Sequence, residues 1–144
     1  MKKTVTWILI ADGTQARVLE HAGPGKGLAS IKNLEWSIPP LQTQQIDTDR
    51  SGRGATGGVM ESKTDPAQHR EAEFVRSVAA VLDEKAKSGA YDRLVIAAAP
   101  IALGNLRKAI SEHVKKTILA ELDKDLTNLP TPQLSKHLDG IIAV

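Results

Sequence analysis

The 144-residue sequence predicts an α/β fold in which helices cover a mixed sheet. The N-terminal part carries short β-branched apolar runs separated by turn signals, whereas the C-terminal part alternates helical and strand patterns. In addition, the apolar run at 91–99 is continuous, which is typical of a strand buried on both faces of a sheet. These observations together favour a sheet that is part antiparallel and part parallel.

The first part of the chain predicts an antiparallel meander of three strands. The β-branched run 5–11 ends at Asp12-Gly13, a strong hairpin signal, and 16–21 is the predicted returning strand. A turn cluster at 23–27 precedes a third strand over 28–38, which Pro39-Pro40 closes.

The second part alternates helices with strands. A first helix begins at Asp65-Pro66 and ends at Gly89, and the strand 91–99 follows it and ends at Pro100. The helical spacing of Leu103, Leu106 and Ile110 predicts a second helix. Residues 117–122 are the predicted fifth strand. A last helix is predicted to begin at Thr131-Pro132 and to end at Gly140. The order βββαβαβα, with helices packed on the sheet, is that of the ribonuclease H-like fold. We expect residues 1–144 to form a single domain.

Composition excludes several classes of protein. The chain has no cysteine, which rules out disulfides, thiolate catalysis and cysteine zinc sites. Aromatic residues make up only 3% of the chain, too few for the stacking platforms of single-strand binders, and the net charge of +2 is small. Arg107-Lys108 and Lys115-Lys116 could line one basic surface, although ordinary solvated charges are the simpler explanation. No segment is long enough to span a membrane, and we expect a cytoplasmic protein without a membrane partner.

A long polar loop at 47–64 is the strongest candidate for a functional segment. It carries Arg50 and Arg53 among glycines and has no apolar period, so we predict that it is flexible. The stretch Gly52-Arg53-Gly54-Ala55-Thr56-Gly57 matches the dinucleotide motif G-x-G-x-x-G by letter. That motif needs a strand directly before it and a helix directly after it, and neither is predicted here. We therefore expect no dinucleotide.

The carboxylates and histidines do not predict a metal site. Two-metal chemistry on this fold needs several carboxylates at one end of the sheet, and Asp12 and Glu73 are the first two candidates. The fourth strand, however, ends in three alanines and Pro100, where a third acid would stand. A role as the aspartate of the hairpin turn is a simpler explanation of Asp12 than metal binding. His69 and Glu73 are likewise more simply explained as a solvated pair on a helix face. We expect no metal, no other cofactor and no identifiable catalytic residue.

Several segments together resemble the host attachment proteins, the family called "protein required for attachment to host cells". Each segment is unspecific alone, but the ordered set is specific and extends over nearly the whole chain. The matching segments are Trp7–Gly13 with Ala16-Arg17, Asp49–Arg53, Asp65-Pro66 with Phe74, Ala98–Pro100, Leu103–Arg107 and Glu121–Thr127.

That family is similar to the middle domain of archaeal and eukaryotic peptide-chain release factors. The similarity implies a ribonuclease H-like topology and a flexible Gly-Gly-Gln loop after the third strand, which is the place of the loop 47–64 here. This chain has Gly57-Gly58, but Val59 follows where the glutamine would stand. Peptidyl-tRNA hydrolysis is therefore not expected.

Three hypotheses of function follow. The leading one is a non-catalytic, release-factor-like module that binds RNA or the ribosome, because arginines on a glycine-flexible backbone can approach phosphates closely. The second is a hydrolase that uses the Gly-rich loop and the carboxylates Asp12, Asp47 and Asp49. The third is an adaptor whose loop orders on a protein partner. The candidate binding residues are Asp12, Arg17, Asp49, Arg50, Arg53, Gly57, Gly58, Arg107 and Lys124.

Overall fold

A computed structural model describes residues 4–21, 23, 27–39, 66–138 and 140–141 of the chain. The strands in these ranges are β1 (Thr6–Ala11), β2 (Gln15–His21), β3 (Leu28–Ser37), β4 (Arg93–Ala98) and β5 (Ile118–Leu122). The helices are α1 (Pro66–Lys87), α2 (Pro100–Ala109), α3 (Glu112–Lys115) and α4 (Thr131–Leu138). The expected order βββαβαβα is confirmed, with α3 as one additional short helix.

The strands form one mixed sheet in the order β3-β2-β1-β4-β5. β2 is antiparallel to both β1 and β3, whereas β4 is parallel to both β1 and β5. An antiparallel meander thus continues into parallel strands joined by helical crossovers, and the ribonuclease H-like arrangement expected from the sequence is confirmed.

The core has two layers because side chains of successive strand residues point to opposite faces of the sheet. On one face, Trp7 and Leu9 of β1 pack with Phe74 and Leu82 of α1 and Leu106 of α2. On the other face, a second cluster packs beneath α4, and it includes Ile8, Ile10, Leu19, Val95, Leu134 and Leu138. All six residues of β1 are buried because helices cover both sides of this central strand.

Two local features depart from the regular pattern. The β2–β3 pairing shifts register between Arg17 and Leu19, and Asn33 in β3 has a φ of 71°, the left-handed conformation that asparagine tolerates better than most residues. The short helix α3 is capped by Ser111, whose Oγ accepts a hydrogen bond from the Val114 amide at 3.3 Å. It was not predicted, because four residues with one buried apolar side chain carry no helical period.

Element ends follow the predicted turn chemistry. Gly89 after α1 and Gly140 after α4 have φ of 78° and 94°, which glycine adopts without a side-chain clash. Within the described ranges, no helix combines the length and the apolar character needed to cross a membrane.

Candidate functional site

One edge of the sheet brings together several parts of the chain that are distant in sequence. β1, β4 and β5 are parallel, so their carboxyl ends meet at this edge, and the β1–β2 turn and the end of β3 lie there as well. We call it the carboxyl edge; its described residues are Asp12–Gln15, Arg17, Ser37–Pro39, Glu71, Ala99–Ala102 and 123–127. In open α/β sheets, ligands bind preferentially at the carboxyl ends of strands, beside the point where strand order reverses.

Asp12 shapes the β1–β2 turn at this edge. Its Oδ1 accepts hydrogen bonds from the amides of Thr14 and Gln15, both at 2.7 Å, and its own amide donates to the carbonyl of Gln15 at 2.8 Å. This is the hydrogen-bonding of a turn aspartate, the role that the sequence favoured for this residue.

Gly13 permits a close approach between this turn and α1. A Cβ built on Gly13 would overlap the carboxylate of Glu71, which lies directly against the glycine backbone. Gly13 is not among the glycines with positive φ, so space rather than backbone conformation explains a glycine at this position. The Asp12-Gly13 signal therefore predicted the hairpin correctly, although the glycine provides space for Glu71 and not a positive φ.

Thr127 links the segment after β5 to the turn. Its Oγ1 lies 2.5 Å from Asp125 Oδ1 and 3.2 Å from Asp12 Oδ2. A hydroxyl has one proton to donate, so the shorter contact is the donated bond to Asp125. Sequence reasoning did not single out Thr127 or Asp125 as site residues, because their proximity to Asp12 spans 115 positions.

Arg17 lies half-buried on the α4 side of the sheet. One of its terminal nitrogens, Nη2, donates to the carbonyl of Leu129 at 2.5 Å. Its Nε is buried and has no hydrogen-bond partner among the described residues. Arg17 also lines a cavity of about 480 Å³, together with residues that include Gln15, Glu35, Ser37 and Thr127.

A second cavity, of about 430 Å³, lies on the other side of the turn. Asp12, Gly13 and Glu71 line it together with the first residues of α2. Ile101, one of these residues, is 61% exposed. The wall of this cavity therefore combines carboxylates with an exposed aliphatic side chain, and it has no cationic lining residue within the described ranges.

The structure does not assemble the carboxylates considered for a metal nuclease. β4 ends at Ala98, beside Ala11 of β1, so an alanine occupies the position of a third acid. Glu73 accepts from His69 Nε2 at 2.8 Å on an exposed helix face, as expected for a solvated pair. Among the described residues, no group of three or more acidic or histidine side chains is placed to hold a metal ion.

The family model for proteins required for attachment to host cells matches residues 7–138. This chain belongs to the host attachment family. A search of curated proteins found no match for it. Its fold is similar to that of an archaeal translation termination factor, aRF1, with a TM-score of 0.51 and 13% identity. The likeness covers 94% of this chain and 38% of that chain, and at this identity it concerns the fold alone.

The candidate residues of this host attachment protein fall into separate places. Asp12 and Arg17 both lie at the carboxyl edge, on either side of Thr127. Lys124 is exposed in the segment that follows β5. Asp49, Arg50, Arg53, Gly57 and Gly58, and with them the predicted flexible loop 47–64, lie outside the described residues.

Arg107 lies on α2, in a groove of about 340 Å³ beside β5. Its Nε and Nη2 both contact Glu121 Oε1 at 2.8 Å, and Lys115 lines the same groove. Lys115 in turn lies 3.5 Å from Glu112. Arg107 and Lys115 thus share one surface, as the sequence suggested, but each faces a carboxylate, so this surface has mixed charge.

Two titratable groups with shifted pKa values lie toward the opposite edge of the sheet. A hydrogen bond from Ser111, aided by Lys87, lowers the pKa of the Asp83 carboxyl. Burial raises the pKa of Tyr91 to about 12. The hydrogen bonds of Asp83 with Ser111 and of Tyr91 with Leu82 link α1 to the segments before α3 and before β4. Neither Asp83 nor Tyr91 lines a cavity of the carboxyl edge.

Proposed function

We propose that this host attachment protein is a non-catalytic, release-factor-like module that binds RNA or the ribosome. The observation that carries the proposal is the likeness to an archaeal translation termination factor, which extends over 94% of this chain. Translation termination takes place on the ribosome, so a shared fold of this extent supports a ribosomal or RNA ligand.

The geometry supports the carboxyl edge as the contact surface. Ile38, close to the last described residue before the segment 40–65, donates its amide to the carbonyl of Thr14 at 2.8 Å. Glu71, in the second turn of α1 after that segment, lies against Gly13. The described residues on both sides of 40–65 therefore lie at the edge that carries Asp12 and Arg17. The segment with Arg50 and Arg53 connects them.

A non-catalytic role agrees with how the carboxylates are arranged. The Oδ1 of Asp12 is engaged by the amides of the turn, and an alanine stands at the end of β4. A hydrolase on this edge would need a carboxylate available to activate water. The hydrolase hypothesis relies on Asp47 and Asp49 in addition to Asp12, and the experiment below distinguishes it.

The test is binding to purified ribosomes and to a single-stranded RNA across a salt series. We compare wild type with the double variant Arg50→Ala/Arg53→Ala. A charge-matched control is Lys85→Ala/Lys87→Ala, in the last turn of α1 near the opposite edge of the sheet. We expect the arginine variant to bind more weakly, with unchanged unfolding free energy. Each lost phosphate contact should flatten the log–log salt slope by roughly 0.7–0.9. The lysine control should bind like wild type.

Other outcomes overturn the proposal. If wild type binds neither ligand even at low salt, the nucleic-acid function is wrong. If the arginine variant loses a protein partner while any RNA affinity is unchanged, the protein is an adaptor. If RNA or another ester is hydrolysed, and Asp47→Asn with Asp49→Asn reduces turnover at least as much as the arginine changes do, the protein is a hydrolase.

A further inference from the structure

The cavity between the β1–β2 turn and the start of α2 has the size of a ligand site. Its volume of about 430 Å³ falls within the roughly 300–1,000 Å³ that is usual for ligand pockets. Its wall has two chemically different parts. One part is aliphatic and is formed by Ala99–Ala102 at the start of α2, and the other carries the carboxylates of Asp12 and Glu71.

The aliphatic part of the wall includes a strongly exposed side chain. Ile101 is 61% exposed, the highest value among the large hydrophobic residues that the structure describes. It lies in the first turn of α2 between Pro100 and Ala102, which line the same cavity. An exposed isoleucine alone is ordinary on a protein surface, but this one continues the apolar wall of a cavity. A partner that covered Ile101 would therefore also have an apolar depression to enter.

The carboxylates of the wall are not neutralised by the rest of the described chain. Neither Asp12 nor Glu71 forms an ion pair with a cation of the described residues. The turn amides engage only the Oδ1 of Asp12, and Glu71 lies against the backbone of Gly13. Within the described ranges, no arginine, lysine or histidine lines the cavity. Its negative charge attracts a cation and repels the phosphates of a nucleic acid.

The start of α2 adds hydrogen-bond donors to this wall. Ala99, the residue before α2, provides no side-chain cap, and Pro100 has no amide proton. The amides of Ile101 and Ala102 belong to the first turn of a helix, where amides have no acceptor within the helix. The cavity thus presents acceptors for a cation, donors for a carbonyl and an aliphatic surface. A peptide with basic and aliphatic side chains supplies a partner for all three.

We propose that this cavity is a docking site for an extended segment of a partner protein, in which a lysine or arginine lies beside an aliphatic side chain. The basic side chain pairs with Glu71 and Asp12, and the aliphatic side chain packs against Ile101 and Pro100. This docking site goes beyond the proposed function, because it takes a protein and not RNA. It is also separate in space, since Arg17 and the cavity that it lines lie on the other side of the turn.

The test is titration of the full chain with three matched peptides, acetylated and amidated at their ends, observed by NMR. The first is Leu-Lys-Leu-Lys-Leu, the second has glutamate in place of lysine, and the third has serine in place of leucine. We expect the Leu/Lys peptide to shift the Gly13 amide and the Ile101 methyl signals saturably at millimolar concentration. The glutamate peptide should leave both signals unchanged, and the serine peptide should bind at least about fivefold more weakly.

Two variants and two matched controls locate the binding. Glu71→Gln should weaken binding of the Leu/Lys peptide by roughly two- to fivefold, the size of an exposed charge interaction. Ile101→Ala should weaken it by roughly five- to tenfold, because apolar contact area is lost. The controls are Glu73→Gln, an exposed carboxylate on the same helix, and Leu119→Ala, an exposed aliphatic residue on β5. Both controls should bind the peptide like wild type.

Other outcomes overturn the docking site. If the Leu/Lys peptide gives no saturable shift, or if the glutamate peptide binds equally well, the cavity does not take a basic segment. If the chain self-associates and Ile101→Ala abolishes this, the occupant is a second copy. If single-stranded RNA shifts the same signals and Glu71→Gln strengthens that binding, the cavity belongs to an RNA surface. RNA binding that depends on Arg50 and Arg53 is measured separately, so the docking site and the proposed function can fail independently.

Discussion

Tyr91 gives a direct test of the packing between the sheet and α1, because it is the only tyrosine of the chain. Its side chain is 3% exposed, and its ring stacks on Trp7 with centroids 4.6 Å apart. The hydroxyl donates to the Leu82 carbonyl at 2.9 Å. A phenolate here would be buried and could no longer donate this bond. Burial accordingly raises the pKa from 10.0 to about 12.

This shift has a defined sign and size. In the unfolded chain the phenol ionises near its ordinary pKa, whereas in the folded protein it stays neutral until about pH 12. The stabilisation is therefore complete below pH 10 and is lost as pH rises toward 12. Two pKa units at about 1.4 kcal/mol each give a loss of about 3 kcal/mol.

The assay is phenolate absorbance during alkaline titration, together with urea unfolding at pH 9 and at pH 11.5. The folded protein should titrate well above the urea-unfolded chain. Between pH 9 and pH 11.5, the free energy of unfolding should fall less in Tyr91→Phe than in wild type, because the variant has no phenol to ionise. Lysine side chains titrate in both proteins, so their contribution cancels in this comparison. A folded-state midpoint near pH 10, or the same alkaline loss in Tyr91→Phe, would refute the reasoning.

Two further substitutions test the core and the carboxyl edge. Phe74→Ala should lower the free energy of unfolding in urea by about 3–5 kcal/mol because Phe74 is only 7% exposed and belongs to the larger core cluster. The control Ile101→Ala, at an exposed position, should lower it by no more than about 0.5 kcal/mol. A decrease below about 1 kcal/mol for Phe74→Ala would show that this ring is not part of the core. Gly13→Ala should destabilise the protein by roughly 1 kcal/mol because the new Cβ displaces the Glu71 side chain. In a protein that already carries Glu71→Ala, the same substitution should cost almost nothing. Equal costs with and without Glu71→Ala would mean that Glu71 does not contact Gly13 closely.

Most of the fold follows from local sequence signals. Period-two and period-3.6 patterns predicted the strands and the three longer helices to within a few residues, because each element buries one defined face. Turn residues predicted where the helices end, and the positive φ of Gly89 and Gly140 agrees with this use of glycine. The short helix α3 and the left-handed Asn33 in β3 were not predictable in this way. They depend on the packing of neighbouring elements rather than on a local period.

The candidate site was less predictable because its contacts join distant positions. Arg17 lies beside Leu129 and Asp12 beside Thr127, at separations of 112 and 115 residues, and no local pattern encodes such pairs. The sequence could identify Arg17 only through the family resemblance, and it gave no reason for an arginine on a largely buried strand.

The structure supplies that reason. The Nη2 bond to Leu129 ties the segment before α4 to the sheet, and this bond explains an arginine at position 17. Because the bond joins residues 112 positions apart, the reason for Arg17 becomes visible only in the folded chain.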